Sequence, residues 1–85
     1  MSYSLLIEKT AQKELSKIPH PDRKKIITAI KGLENNPHPA GSKKLSGREA
    51  WRMRIGNYRV IYEINDEKLI VLIVKVGHRQ SVYSR

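Results

Sequence analysis

WRMRIGNYRVIYEI, residues 51–64, sets its apolar and its basic side chains on opposite faces of an extended chain. Successive side chains alternate across a pleated strand, so Trp51, Met53 and Ile55 point one way and Arg52 and Arg54 the other. Gly56-Asn57 reads as a two-residue hairpin turn with glycine at the first central position, which sets Ile55 opposite Tyr58 and Arg54 opposite Arg59. The same register places Met53 against Val60 and Trp51 against Tyr62, and residues directly opposite share a face. Alternation and turn geometry thus gather Arg52, Arg54 and Arg59 on one surface, where the nearest acid, Glu63, lies two pleats beyond Arg59. Like charges side by side on a sheet repel, and an arrangement of this kind predicts a receptor for an anion, phosphate in particular.

Composition narrows the partner. A chain of 85 residues is one domain, residues 1–85, small enough that its core must be compact. It has no cysteine, which removes disulfides and thiolate metal sites. Seventeen Lys and Arg against eight acids give a net charge of +9, the balance of a protein that meets nucleic acid or an acidic protein segment. From Lys43 to Arg59 there are six basic residues (Lys43, Lys44, Arg48, Arg52, Arg54 and Arg59) against one acid, Glu49, so the charge is locally concentrated. No signal peptide is recognisable and no apolar run is long enough to span a bilayer, so the expectation is a soluble cytoplasmic protein without a membrane partner.

Tyr3 to Ile7 is apolar enough for a first strand, and Thr10 is placed to cap a helix with Ala11, Leu15 and Ile18 at helical spacing, ended by Pro19. Pro21 suits the first turn of a second helix whose stripe is Ile26, Ile27, Ile30 and Leu33, stopped by Asn35-Asn36-Pro37. The segment from Pro37 to Gly47 is turn-rich and reads as a surface loop delivering Lys43 and Lys44 to the basic face. Strands follow at about 50–55, 58–64 and 69–76, then a short extended piece with His78, Arg79 and Tyr83. The expected fold is α+β, a small antiparallel sheet carrying two N-terminal helices on one face. Ile70 to Val74 is apolar at every position. Either the strand is central and covered on both sides, or some of Ile61, Ile70, Leu72 and Val74 stay exposed until a partner covers them.

Nearly the whole chain, Tyr3 to Tyr83, resembles the RelE branch of the RelE/ParE toxin superfamily, which shares its fold with microbial ribonucleases. The resemblance rests on Lys44-Leu45-x-Gly47, Trp51-Arg52-x-Arg54, Tyr58-Arg59-Val60-Ile61-Tyr62, and Val76-Gly77-His78-Arg79 followed by Val82-Tyr83, in that order and spacing. It implies an mRNA interferase that cuts the codon in the ribosomal A site and is held inactive by an antitoxin. It also implies contact with DNA only through a toxin–antitoxin repressor complex. The family's basic pair corresponds to Arg52 and Arg54, the arginine of the next strand to Arg59, and its last active-site arginine and tyrosine to Arg79 and Tyr83.

The chemistry can be argued from the residues. Eight scattered acids and three separated histidines offer no metal cluster, so no metal and no cofactor is expected. A metal-free ribonuclease uses the substrate's 2′-hydroxyl as nucleophile and needs a proton acceptor, positive charge about the phosphate and a donor to the departing 5′ oxygen. Arg52, Arg54 and Arg59 supply the charge, and Tyr83 can stack on or orient a base. Arginine stays protonated, so Arg52 and Arg54 are unsuited to act as general base where some family members carry lysine. Histidine changes charge near neutrality, which makes His78 the candidate acid or base, against a plain surface histidine at a strand end. Lys43, Lys44 and Arg48 are candidate RNA anchors. Two function classes follow: a ribosome-dependent endoribonuclease, or a binding module of the same fold, either a gyrase inhibitor or a toxin whose basic face only holds an acidic antitoxin that is partly disordered when free.

Overall fold

The alternation in residues 51–64 folds as the hairpin it implies. In the computed structural model, which describes residues 2–78, Trp51 pairs with Tyr62, Met53 with Val60, Arg54 with Arg59 and Ile55 with Tyr58. The elements are β1 (Ser4–Ile7), α1 (Lys9–Ser16), α2 (His20–Gly32), β2 (Lys43–Lys44), β3 (Trp51–Ile55), β4 (Tyr58–Asn65) and β5 (Ile70–His78). They build one sheet in the order β1-β5-β4-β3-β2. Both helices cover the same face of it: Ala11, Leu15, Ile26, Ile30 and Leu33 pack on Met53, Val60, Tyr62, Val71, Ile73 and Val76. No helix among the described residues is long and apolar enough to cross a membrane.

The α+β class and the placement of the helices agree with the sequence, and several local features differ. β1 runs parallel to β5, so the sheet is mixed, antiparallel only through its other four strands. Helix α1 starts at Lys9 with Glu8 at the N-cap, and Thr10 lies inside its first turn. The reason is a direct handover from strand to helix. The Glu8 N–H donates to the Ile73 carbonyl (3.0 Å) while the Glu8 carbonyl accepts from the Gln12 N–H (2.9 Å). The loop after α2 contains a strand that turn propensity concealed, β2, in which Lys43 pairs with Arg52 and Lys44 with Trp51. That loop is pinned from below: the fully buried Tyr62 donates its hydroxyl to the Pro37 carbonyl (2.9 Å), and the His38 ring meets Trp51 edge-on at 4.5 Å.

β5 is central, between β1 and β4, and its two faces differ. Val71, Ile73 and Val76 are fully buried under the helices, whereas Ile70, Leu72 and Val74 are half-buried on the open face. There Val74 joins Ile61, Ala50 and Leu45 in a second, smaller cluster, because the 45–50 loop folds back on the sheet through the Leu45 N–H to Ala50 carbonyl bond (2.8 Å). Leu6, paired with Leu72, is 51% exposed. The open face is therefore covered at Ile61 and Val74 and uncovered toward β1.

A bulge interrupts the β4–β5 ladder: Ile61 pairs with Lys75 but Tyr62 with Ile73, leaving Val74 as the extra residue. A bulge frees backbone groups from the ladder. Here Glu14 on α1 supplies the acceptor, taking the Val76 N–H on Oε1 (2.9 Å) and the Lys75 ammonium on Oε2 (3.1 Å). Glu14→Ala leaves a buried N–H without its acceptor and should cost about 1–3 kcal/mol. Glu14→Gln, which keeps a carbonyl oxygen in place, should recover most of the loss; urea denaturation of the three proteins is the check.

Candidate anion-binding site

Arg54 and Arg59 face each other because burial of Met53, Val60 and Tyr62 leaves the hairpin no other register. In a hairpin closed by two residues the flanking pair, Ile55 and Tyr58, exchanges both ladder bonds, and the next pair exchanges none. Arg54 and Arg59 are that next pair, in the closer of the two cross-strand spacings, with Cα atoms about 4.5 Å apart. Arg52 lies on the same face opposite Ile61, and Lys43 joins it from β2. The three arginines differ in exposure. Arg52 and Arg59 are 6% and 7% exposed, while Arg54 is open to solvent.

This face has one chemical capacity above all, the recognition of a tetrahedral oxyanion. Guanidinium forks match pairs of phosphate oxygens, and a guanidinium is more weakly hydrated than an ammonium, so it tolerates the low exposure found at Arg52 and Arg59. Among the described residues no three side chains of metal-ligating type come together.

The other candidates are distributed differently from what the sequence implied. His78 does not stand beside the arginines. It pairs with Tyr58 and packs edge-on to that ring at 5.8 Å, at the end of β5 and on the helix-side face. Counting by twos from the buried Val71 and Ile73 would put residue 78 with the arginines; the extra residue at Val74 reverses the parity, so Val76 and His78 take the helix side. Lys44 pairs with Trp51, also away from the arginines, and its ammonium is held by Glu49 at 3.2 Å. Arg48 lines a separate cleft of about 410 Å3 at the other end of the open face, with Glu63, Lys68, Ile70 and Leu72. Arg79 and Tyr83 lie outside the described residues. Arg52, Arg54, Arg59 and Lys43 are the members of the expected set that the fold brings together.

A second basic surface escaped the sequence reading. Lys9, Lys13 and Lys17 recur every four residues along α1 and its C-cap, all exposed, on the side away from Ala11 and Leu15. Spacing alone was signal enough, but the denser charge between residues 43 and 59 obscured it.

Comparison with known proteins agrees with this geometry. Residues 5–83 match the family described as the ParE toxin of the type II toxin–antitoxin system parDE. The chain belongs to that family, within the RelE/ParE superfamily of toxins. Among its relatives is the toxin RelG of Mycobacterium tuberculosis, 32% identical over 89 residues and covering 100% of each chain. The mRNA interferase toxin RelE of Escherichia coli is 26% identical over 88 residues, covering 99% of this chain and 93% of the relative. In the solved archaeal RelE–RelB complex from Pyrococcus horikoshii, a chain 30% identical superposes with a TM-score of 0.83, over 93% of this chain and 97% of its own.

Because Arg54 is exposed and stands directly opposite the like-charged Arg59, its truncation should not destabilise the fold and should relieve the cross-strand repulsion. It should weaken binding to a single-stranded polynucleotide and lower the slope of log K against log salt by about 0.7 for each phosphate no longer neutralised. A salt titration with fluorescence-labelled oligonucleotide reads both effects.

Proposed function

We propose that this toxin is an endoribonuclease that cleaves mRNA in the ribosomal A site and so arrests translation. The observation that carries the reading is the cross-strand Arg54–Arg59 pair with Arg52 and Lys43 beside it, a like-charged surface built on the rigid part of the sheet. The relative named as an mRNA interferase, aligned over 99% of this chain, supports it. In the step we infer, the 2′-oxygen attacks the adjacent phosphorus and the bond from phosphorus to the 5′ oxygen breaks. A 2′,3′-cyclic phosphate remains upstream, and the 5′ oxygen leaves as a hydroxyl after gaining a proton. Arg52, Arg54 and Arg59 stabilise the extra negative charge on the pentacoordinate phosphorus, a role that needs no change in their own protonation. Acceptance of the 2′ proton falls to a group outside this face, in the C-terminal segment or on the ribosome. Arg79 and Tyr83 are proposed to complete the site from that segment. His78 is assigned no part in the chemistry, since it belongs to the helix-side face.

The partner implied by the toxin–antitoxin family, and by the RelB chain in the archaeal complex, is an antitoxin. We take it to be acidic, to be partly disordered when free, and to neutralise the arginine face as it folds over it, with DNA contacted only through the assembled repressor complex. The working compartment is the cytoplasm, where ribosomes are found. A gyrase-directed toxin of the same fold is the second reading, favoured by the family's description as parDE.

Mapping of 5′ ends on a defined mRNA carried by programmed ribosomes separates the two. Wild type should cut within the A-site codon only when ribosomes are present, and Arg59→Ala and Arg79→Ala should each lose at least a hundredfold in rate. His78→Ala should stay within threefold. Growth arrest without any cut, by a preparation that inhibits gyrase, would overturn the assignment.

A further inference from the structure

The row of side chains that begins with Arg54 ends on a glycine. Strand pairing sets Arg54 on β3 opposite Arg59 on β4, and Arg59 opposite Gly77 on β5, so all of them share one row and one face of the sheet. The Arg54–Arg59 pair exchanges no ladder bonds, so the N–H and C=O of Arg59 turn the other way, toward Gly77. The Val76 N–H agrees with that phase: it points out of the ladder to Glu14, and its neighbour therefore points in. Arg59 and Gly77 are thus a hydrogen-bonded pair, with Cα atoms about 5.5 Å apart. Glycine inside a strand weakens it, and marks either a left-handed bulge or the close approach of a ligand or another backbone. The left-handed conformation belongs to Gly41, Gly47 and Gly56, and the β4–β5 bulge lies earlier in the strand, at Val74. Gly77 stands in the extended run of β5 with its backbone groups taken up by the ladder, so what it contributes to the arginine face is space.

We propose that Gly77 is the floor of the seat for the scissile phosphodiester: its missing side chain lets the sugar–phosphate backbone of single-stranded RNA come down to the sheet beside Arg59, with phosphate oxygens against the guanidinium group. The inference rests on the ribonuclease reading above and adds to the site a residue that acts by having no bulk. Side chains stand roughly perpendicular to a sheet, so the Arg59 stem is approached over whichever of its neighbours is lowest. Of its neighbours within the sheet, Arg54 is a long side chain, and Ile61 is buried in the cluster with Leu45, Ala50 and Val74. Gly77 is the low one. It also precedes Arg79 by two residues, so the seat lies where β5 hands over to the segment proposed to bring Arg79 and Tyr83 to the reaction. Attack by the 2′-oxygen needs that atom, the phosphorus and the departing 5′ oxygen in line, and a misplacement of about 1 Å can cost about a hundredfold in rate. A methyl group on the floor lifts the phosphate away from Arg59 and out of that line.

A size series at this one position, Gly77→Ala and Gly77→Val, is the test. It is read by single-turnover cleavage of mRNA on programmed ribosomes, by binding of a 2′-deoxy-substituted oligoribonucleotide, which has no nucleophile and is not cut, and by thermal melting. Cleavage should fall at least tenfold for Gly77→Ala and at least a hundredfold for Gly77→Val, and Gly77→Val should bind the oligonucleotide at least tenfold more weakly. Neither variant should melt below the wild type, because both side chains suit a strand better than glycine does. A Gly77→Val protein with a lowered melting temperature shows that the space is filled by the chain itself and overturns the proposal. A folded Gly77→Val protein that binds and cleaves as well as wild type overturns it equally. If the wild type cuts no mRNA, the ribonuclease reading fails by itself, and the binding series still decides the seat: tenfold weaker binding by Gly77→Val supports it, and unchanged binding overturns it.

Discussion

The register of the β3–β4 hairpin is the constraint on which the rest of the molecule depends. Burying Met53, Val60 and Tyr62 is worth about 1.5–3 kcal/mol for each side chain. The repulsion between two guanidinium groups about 4 Å apart runs from about 1 kcal/mol in bulk water to about 4 at a protein surface. A slip of one residue would relieve Arg54 and Arg59 but turn the whole apolar set outward, so the core prevails and the like-charged face follows from it. The same register turns Arg59's backbone toward Gly77, and so the one interaction fixes both the charged face and the strand pair at its end.

That register was legible because two independent signals met in it: strict alternation from Trp51 to Ile55 and a turn of defined length at Gly56-Asn57. Where either signal was missing, the sequence under-determined the structure. β5 is apolar at every position from Ile70 to Val74, so its faces had no alternation to count, and nothing local announced the bulge at Val74. Close to it the Val76 N–H donates to the carboxylate of Glu14, 62 residues earlier in the chain. The register shift decides the face on which His78 stands, and proximity in sequence to the arginines carries no information about it. The parallel pairing of β1 and the two-residue β2 are tertiary choices too: both are short edge strands whose own residues carry no direction or length.

The candidate site divides along the same line. Arg52, Arg54 and Arg59 were found from the alternation, as was the exclusion of Trp51 and Tyr62 to the helix side. Lys43 and Lys44, adjacent in sequence and alike in composition, were read as equivalent. Strand pairing separates them, since neighbouring residues of a strand point to opposite faces: Lys43 joins Arg52, and Lys44 is taken up by Glu49.

Differences in exposure assign different work to the three arginines. An exposed guanidinium such as Arg54 is free to reorient, screened by salt, and suited to first capture of a polyanion. Arg52 and Arg59 are held nearly out of water, so their charge acts through a medium of lower effective dielectric and with little reorganisation left to perform. Preorganised charge of that kind favours the state in which negative charge has accumulated over the state in which it has not, and this distinguishes stabilising a transition state from binding a substrate. On the proposed chemistry, therefore, losing Arg54 should fall mainly on affinity and losing Arg59 mainly on the rate of the bound complex.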